Sequence, residues 1–246
     1  MGLLGIIGGS GFSTLPEVEV IHREWVQTAY GAPSAELLTL SHQGRQFCFL
    51  PRHGAGHSIP PHAINYRANI QALADRGVTR LIALGAVGGI APDCGPLRLC
   101  VPDQLIDYTW GRLGTFHDGT DGDVVHVDFT APFTPALRET LLSAGAHLAL
   151  DLRAGGTYGV TQGPRLETAA EIRRLERDGC DLVGMTAMPE AALARERGLD
   201  YALLAFVVNW AAGKAAGEVG MAEIESNLAR CGDAVRRLLL AVATDG

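Results

Sequence analysis

The sequence predicts a single α/β domain over residues 1–246, with a central, twisted, mixed β-sheet flanked by helices. Short apolar segments alternate with segments of helical periodicity along the whole chain, as in folds that cover a sheet with helices. No linker, low-complexity stretch or internal repeat divides the chain into two units. With 47% hydrophobic and 19% charged residues, the chain has enough apolar side chains for one substantial core.

The N-terminal part contains one clear strand, one hairpin and one helix. An apolar run at residues 3–7 ends in a glycine-rich turn, which is typical of a buried strand. Residues 36–50 alternate between apolar and polar side chains, so they predict a hairpin with Gln43-Gly44 at its turn. Helical spacing over residues 65–76 is followed by Gly77, a residue type that favours the backbone conformation of helix ends.

The same alternation continues to the C-terminus. Residues 80–86 predict a buried strand closed by Gly88 and Gly89, and the glycine- and aspartate-rich residues 109–130 predict a long surface loop. The remaining strands and helices are predicted from the same two patterns of apolar spacing. The strands are predicted at residues 97–108, 154–160, 182–185 and 201–209, and the helices at residues 134–144, 168–177, 189–197 and 221–242.

Composition excludes several classes of function. The formal net charge of -7 argues against non-specific nucleic-acid binding, because phosphate backbones attract positive surfaces. The five cysteines include no C-x-x-C pair, so reduced thiols are expected rather than disulfides or a zinc site. The N-terminus lacks the basic region of a signal peptide, and no apolar run is long enough to cross a bilayer. We therefore expect a cytoplasmic protein with neither nucleic-acid nor membrane partners.

Polar or glycine-rich clusters follow several predicted strands, at residues 8–11, 52–57 and 85–89 and later at Thr186 and Asn209. In open α/β sheets, ligands bind at the carboxyl ends of the strands. An arginine fork matches phosphate oxygens, an adjacent histidine supplies a further donor, and a serine in a glycine-rich turn suits an anion. The sequence therefore predicts an anion site at this edge, although a surface ion pair is the alternative role for the arginine.

Other ligand sites find less support. The glycine-rich turn at residues 8–11 lacks the spacing of a dinucleotide-binding fingerprint, and Gly213-Lys214 lacks the flanking residues of a P-loop. The series His53, His57 and His62 resembles the spacing of metal ligands, but no cysteine or paired carboxylate completes a coordination shell. No serine lies in a G-x-S-x-G elbow. We therefore predict no metal site and no hydrolase triad.

Seven segments, distributed in order over nearly the whole chain, resemble one known family in combination. They are GIIGGSGF at residues 5–12, PRHGAGHSIPPHAINYRANI at 51–70, GAVGGI at 85–90, DQLIDYT at 103–109, TFHDG at 115–119, QGPRLET at 162–168 and GMTAMPEAALARERGL at 184–199. This pattern is similar to the purine nucleoside phosphorylases, in their methylthioadenosine phosphorylase branch. The resemblance implies a homotrimer of α/β subunits with no cofactor. It also implies that inorganic phosphate is a co-substrate that converts a nucleoside into a free base and a ribose 1-phosphate.

The resemblance also assigns roles to individual positions. It implies that phosphate is held by four side chains and one backbone N–H group: those of Ser10, Arg52, His53 and Thr186, and the N–H of Ala86. Met185 matches a methionine that lies under the ribose, and His126 matches a histidine that reaches into the site of a neighbouring subunit. Many relatives have a hydroxyl residue where this chain has Gly85, so one phosphate contact is expected to be absent or made by the main chain.

At the positions that the resemblance assigns to the base, this chain differs from the adenine-specific relatives. Those relatives have an Asp-x-Asp pattern where this chain has Asn209 and Ala211. An asparagine amide donates to O6 and accepts from a protonated N7, which is the pattern of a 6-oxopurine. Adenine would place its amine against the amide N–H₂, and an unpaired buried group costs roughly 1–3 kcal/mol. We therefore predict a preference for 6-oxopurines, with Asn209 as the catalytic contact to the leaving base. The alternative is that Asn209 only caps a strand end.

At the sugar end, residues 218–224 contain no histidine to meet a 5′-hydroxyl, whereas Met221 and Ile224 provide an apolar wall for a 5′-methylthio group. The alternative is that these two side chains only pack the last helix. Together, the two ends predict S-methyl-5′-thioinosine as the substrate. A methylthioadenosine phosphorylase, a general inosine and guanosine phosphorylase and a non-catalytic nucleotide-binding protein are the alternatives.

Overall fold

The computed structural model describes residues 2–16, 18–119, 122 and 124–244. Within this part of the chain, eleven strands join one mixed sheet that is flanked by five α-helices, which confirms the predicted single-domain α/β class. The predicted domain limits of 1–246 include residues 1, 17, 245 and 246, which lie outside the described residues, as do residues 120, 121 and 123 of the predicted loop.

The strands and helices occupy the following ranges. The strands are β1 (Leu3–Gly8), β2 (Glu19–Glu24), β3 (Leu37–His42), β4 (Arg45–Pro51), β5 (Val78–Gly89), β6 (Leu99–Val101), β7 (Gln104–Asp107), β8 (Leu152–Ala154), β9 (Thr157–Val160), β10 (Leu182–Gly184) and β11 (Asp200–Trp210). The helices are α1 (Tyr66–Asp75), α2 (Pro135–His147), α3 (Ala169–Arg177), α4 (Ala187–Glu196) and α5 (Met221–Thr244), with a short 3-10 helix at Pro61–Ala63.

The sheet runs in the order β2-β3-β4-β1-β5-β10-β9-β7, and a branch adds β11, β6 and β8 beside β5. Strands β4, β1, β5 and β11 are parallel to their neighbours in this set, so their carboxyl ends lie at one edge. Strand β10 is antiparallel to β5, with Val183 opposite Gly88. The residues that follow β10 therefore lie alongside the middle of β5 rather than beyond its end.

Helices cover both faces of the sheet. Apolar side chains of α1 and α4 pack into the core on one face, and those of α2 and α5 pack into the core on the other. Helix α3 begins at a capping box, in which Thr168 accepts from the Glu171 N–H and the Glu171 side chain accepts from the Thr168 N–H. No helix in the described part of the chain is long and apolar enough to cross a membrane.

Most predicted elements are confirmed, including the β3–β4 hairpin, whose turn residues Gln43 and Gly44 have φ values of 48° and 77°. The edge strand β2 was not predicted, because its side chains are largely exposed and show no apolar alternation. The predicted loop at residues 109–130 contains no helix or strand among its described residues.

Three predictions about strand ends were wrong, each for a local reason. Strand β5 continues through Gly88 and Gly89 instead of closing there, because both glycines pair with β10 on one side and β11 on the other. The predicted strand 154–160 is two strands, β8 and β9, separated at Gly155 and Gly156 by positive φ angles of 84° and 114°. The predicted strand 97–108 is likewise divided into β6, which pairs with β11 and β8, and β7, which pairs with β9.

Candidate active site

A cavity of about 770 Å³ opens where the ends of β1, β4, β10 and β11 meet the middle of β5. It is lined by every predicted site residue except one: Ser10, Arg52, His53, Ala86, Met185, Thr186, Asn209, Ala211, Met221 and Ile224. The exception, His126, is exposed in the segment after residue 123, and its contact with a neighbouring subunit stays a prediction. The fold thus brings together residues that are up to 214 positions apart in the chain (residues 10 and 224).

Arg52 follows β4 and is held by a buried carboxylate. Its Nε and Nη2 donate to the two Glu190 carboxylate oxygens at 2.7 and 2.8 Å, and its Nη1 donates to the Leu84 carbonyl at 2.8 Å. The Tyr201 hydroxyl donates to the same carboxylate at 2.8 Å. Arg52 and Glu190 are 1% and 0% exposed, so the surface ion pair considered as an alternative from the sequence is wrong.

This arrangement leaves the guanidinium one N–H on Nη1 and one on Nη2 without a partner among the described residues. Because Arg52 lines the cavity, both N–H groups are available to an anion there. The turn before Ser10 makes this geometry possible, since a Cβ at Gly9 would lie 2.5 Å from the Leu84 carbonyl oxygen and 3.2 Å from Nη1. Glycine is therefore required at position 9, because the turn and the backbone at Leu84 approach each other closely.

His53 lies beside Arg52 with a defined tautomer. Its Nδ1 is 2.8 Å from the Ile59 carbonyl oxygen, and because a carbonyl only accepts, Nδ1 carries the proton. Burial, followed by the Arg52 charge, lowers the pKa of His53 from 6.5 to about 4, so the ring is neutral near pH 7. The remaining nitrogen, Nε2, is then an acceptor and not the additional donor that we expected from the sequence.

Asn209 lies near the end of β11, where the strand register shifts between Val207 and Asn209. Its Nδ2 donates to the Trp210 carbonyl at 2.7 Å, which fixes the orientation of the amide because the carbonyl cannot donate. The Asn209 Oδ1 and the second N–H of Nδ2 have no other partner among the described residues. Since Asn209 is 7% exposed and lines the cavity, these two groups form a donor–acceptor pair at its inner wall.

Glu167 lines the same cavity and was not identified from the sequence. Its carboxylate accepts from the Thr161 hydroxyl at 2.5 Å, and burial raises the pKa of the carboxyl group. The available signal was an acidic residue close after the glycine–proline turn that follows a strand. The sequence analysis included it only within the QGPRLET segment and assigned it no role. Glu190 was missed in the same way, inside the segment at residues 184–199.

The sequence profile of the Phosphorylase superfamily matches residues 3–244. The chain belongs to this superfamily. Its relatives include a probable S-methyl-5′-thioinosine phosphorylase of Xanthomonas campestris pv. campestris, 54% identical over 92% of this chain and 90% of that protein. A 6-oxopurine nucleoside phosphorylase of Pyrococcus furiosus is 43% identical over 98% of this chain and 92% of that protein.

A solved structure shows the same fold. The methylthioadenosine phosphorylase of Schistosoma mansoni in complex with adenine superposes with a TM-score of 0.93 at 33% identity, over 98% of this chain and 90% of that chain. This chain is therefore an enzyme of the nucleoside phosphorylase type, which transfers a pentosyl group. Among the described residues that line the cavity, Arg52 is the single arginine or lysine.

The neutral state of His53 in this phosphorylase predicts a dependence of stability on pH. The unfolded chain protonates His53 near pH 6.5 and the folded chain only near pH 4, so stability present above 6.5 is lost as the pH falls toward 4. Between pH 7.5 and pH 5, without phosphate, we expect the wild type to lose about 2 kcal/mol more unfolding free energy than His53→Asn. Urea denaturation at both pH values measures this difference, and equal losses would contradict a buried, neutral His53.

Proposed function

We propose that this enzyme catalyses the phosphorolysis of S-methyl-5′-thioinosine to hypoxanthine and 5-methylthioribose 1-phosphate, a purine salvage reaction. Inorganic phosphate is the co-substrate, and no metal or other cofactor takes part. The observation that carries the proposal is that Asn209 lines the cavity with its amide held by the Trp210 carbonyl, which leaves Oδ1 and one N–H to match the donor and acceptor of a 6-oxopurine. The 54% identity to the Xanthomonas relative supports the same substrate.

Base recognition follows from two side chains. The Asn209 Oδ1 accepts from N7–H as the purine leaves, and its second N–H donates to O6. The Glu167 carboxylate accepts from N1–H, a donor that hypoxanthine has and adenine lacks. Adenine presents a lone pair at N1 and an amine at C6, so both side chains would face groups of the same hydrogen-bonding kind. The cavity therefore favours 6-oxopurines over adenine.

Phosphate binding supplies the nucleophile at the other end of the cavity. Cleavage of the glycosidic bond gives the sugar oxocarbenium character and the purine negative charge, so a positioned anion stabilises the sugar and then bonds to C1′. We assign phosphate to the Arg52 N–H groups, the Ser10 and Thr186 hydroxyls and the Ala86 N–H. The neutral His53 accepts at Nε2 from a phosphate hydroxyl, and the proton of the incoming phosphate leaves with the base.

The sugar end of the cavity is lined mainly by apolar side chains. Met185 is assigned to the underside of the ribose, and Met221, Ile224 and Val219 line the side that the last helix covers. Met221 is 60% exposed, which is unusual for a methionine that only packs a helix. A 5′-methylthio group would bury this exposed apolar surface, which a 5′-hydroxyl group would leave uncovered; Glu225 is the one polar side chain that the described part of this helix adds to the cavity lining.

We also propose a cytoplasmic homotrimer in which His126 of one subunit completes the site of the next. The exposed valines that flank this histidine, Val125 and Val127, are consistent with burial against a neighbouring subunit. Sedimentation velocity of the wild type and of His126→Ala measures the assembly. Nucleoside kinetics of the same two proteins measure what His126 contributes to the site. A trimer with a higher KM for nucleoside in His126→Ala would support both, and a wild-type monomer would contradict the assembly.

The proposed reaction is tested by product formation from methylthioinosine, methylthioadenosine and inosine, each with and without phosphate. We expect phosphate-dependent release of hypoxanthine, fastest from methylthioinosine. Fastest release of adenine would show a methylthioadenosine phosphorylase, and equal rates from inosine and methylthioinosine would show a general 6-oxopurine phosphorylase. Base release without phosphate would contradict phosphorolysis altogether.

A further inference from the structure

Arg112 connects two turns of the cavity although it does not line the cavity itself. It lies in the long loop after β7, and its side chain donates to four backbone carbonyl groups and two side-chain oxygens. The acceptors are the carbonyls of Met185 (2.8 Å), Met188 (2.5 Å), Gln162 (2.9 Å) and Thr161 (3.4 Å), the Gln162 side-chain oxygen (3.2 Å) and the Tyr66 hydroxyl (3.2 Å). All three nitrogens of the guanidinium are therefore used.

The Thr161 and Gln162 carbonyls lie in the turn that leaves β9, and the Met185 carbonyl lies in the turn that leaves β10, a parallel neighbour of β9 in the sheet. Met188 lies just beyond, in the first turn of α4. The turn after β9 leads to Glu167, and the turn after β10 carries Met185 and Thr186. All three line the cavity, where the proposed function assigns Glu167 to the base and the other two to the sugar and phosphate. Beyond the last strand residue, carbonyl groups lose their partners in the sheet. The planar fork of Arg112 supplies donors to both turns at once, which a point donor such as lysine cannot do.

The guanidinium has no carboxylate partner among the described residues. Arg52, by contrast, has its charge balanced by Glu190. Arg153, which also connects loops through a backbone carbonyl, is paired with Asp93 and Asp181. Arg112 is thus a cation held mainly by carbonyl dipoles, one of which belongs to the peptide that joins Met185 to Thr186, and it also contacts the hydroxyl and ring of Tyr66.

We propose that Arg112 is a positioning residue for phosphorolysis: its guanidinium fixes the distance between the turn that carries Glu167 and the turn that carries Met185 and Thr186. It thereby aligns the base with the sugar and phosphate. This inference rests on the proposed function of the cavity. A misplacement of about 1 Å in a bound reactant lowers a rate by roughly a hundredfold, so the predicted effect is on kcat more than on binding.

The test compares Arg112→Lys with the matched control Arg153→Lys. We expect Arg112→Lys to lower kcat by roughly a hundredfold and to change the Kd of phosphate, measured by calorimetry, by much less. Arg153→Lys changes the thermal midpoint without changing kcat, since Arg153 lies in β8 outside the cavity. In Arg112→Ala, methylguanidinium restores kcat in a saturable manner and methylammonium does not. A lower midpoint with wild-type kcat in Arg112→Lys would overturn the proposal.

Gln162→Ala provides a second route if Arg112→Lys does not fold. It removes the side-chain acceptor shared by Arg112 and the Trp110 N–H but leaves the four carbonyl bonds, so a severalfold lower kcat is expected and an unchanged kcat contradicts the proposal. The series is measured on whichever nucleoside the wild type cleaves fastest. A wild type that prefers methylthioadenosine therefore overturns the proposed substrate without affecting the test of Arg112.

Discussion

Arg52→Ala is expected to raise the phosphate KM by a hundredfold or more. Each N–H that the wild-type guanidinium offers to phosphate makes a charged hydrogen bond worth about 1.5–3 kcal/mol, and a tenfold change corresponds to about 1.4 kcal/mol. Two such bonds are lost in the variant. Initial rates over a range of phosphate concentrations measure the effect, and a normal phosphate dependence would remove Arg52 from the site.

The same substitution leaves Glu190 buried without its cation, which is expected to destabilise the fold by about 3–5 kcal/mol. The double variant Arg52→Ala, Glu190→Gln separates the two effects, because a neutral amide does not need a cationic partner. We expect the double variant to regain much of the stability lost in Arg52→Ala, while its phosphate KM stays high. Recovery of both stability and phosphate affinity would show that Arg52 acts only through folding.

Asn209→Asp is expected to change the base preference. A carboxylate cannot donate to the Trp210 carbonyl, which lies 2.7 Å from Nδ2 in the wild type, nor to O6 of a 6-oxopurine. Leaving such buried groups unpaired costs roughly 1–3 kcal/mol each. Only the loss at O6 differs between the two nucleosides, so the ratio of kcat/KM for methylthioinosine to that for methylthioadenosine should fall by roughly 5- to 150-fold. Competition between the two nucleosides in one reaction measures this ratio directly.

Asn227→Asp is the matched control for this change. Asn227 is a buried asparagine of α5 whose Nδ2 donates to the Val208 carbonyl at 2.8 Å, but it does not line the cavity. It should lose stability in a similar way without changing the ratio for the two nucleosides. A ratio that is unchanged in Asn209→Asp, or changed equally in both variants, would contradict base recognition by Asn209.

The sequence predicted the fold class and part of the cavity lining because both show in patterns and motifs of neighbouring residues. Apolar periodicity identified the hairpin of β3 and β4, α1 and α5, and the polar residues that follow parallel strands meet at one edge of a sheet. The division of the predicted strand 154–160 was missed because a glycine pair does not reveal from sequence whether a strand bends or ends.

The sequence by itself thus determined an α/β fold, the phosphorylase resemblance and ten of the residues that line the cavity. Only the tertiary structure showed how their charges and hydrogen bonds are balanced. Glu190 binds Arg52 across 138 positions, and the Ile59 carbonyl decides which nitrogen of His53 carries the proton. Arg112 joins turns that follow two separate strands. Such contacts depend on the distance and direction between groups in the folded chain, and local periodicity contains no information about either.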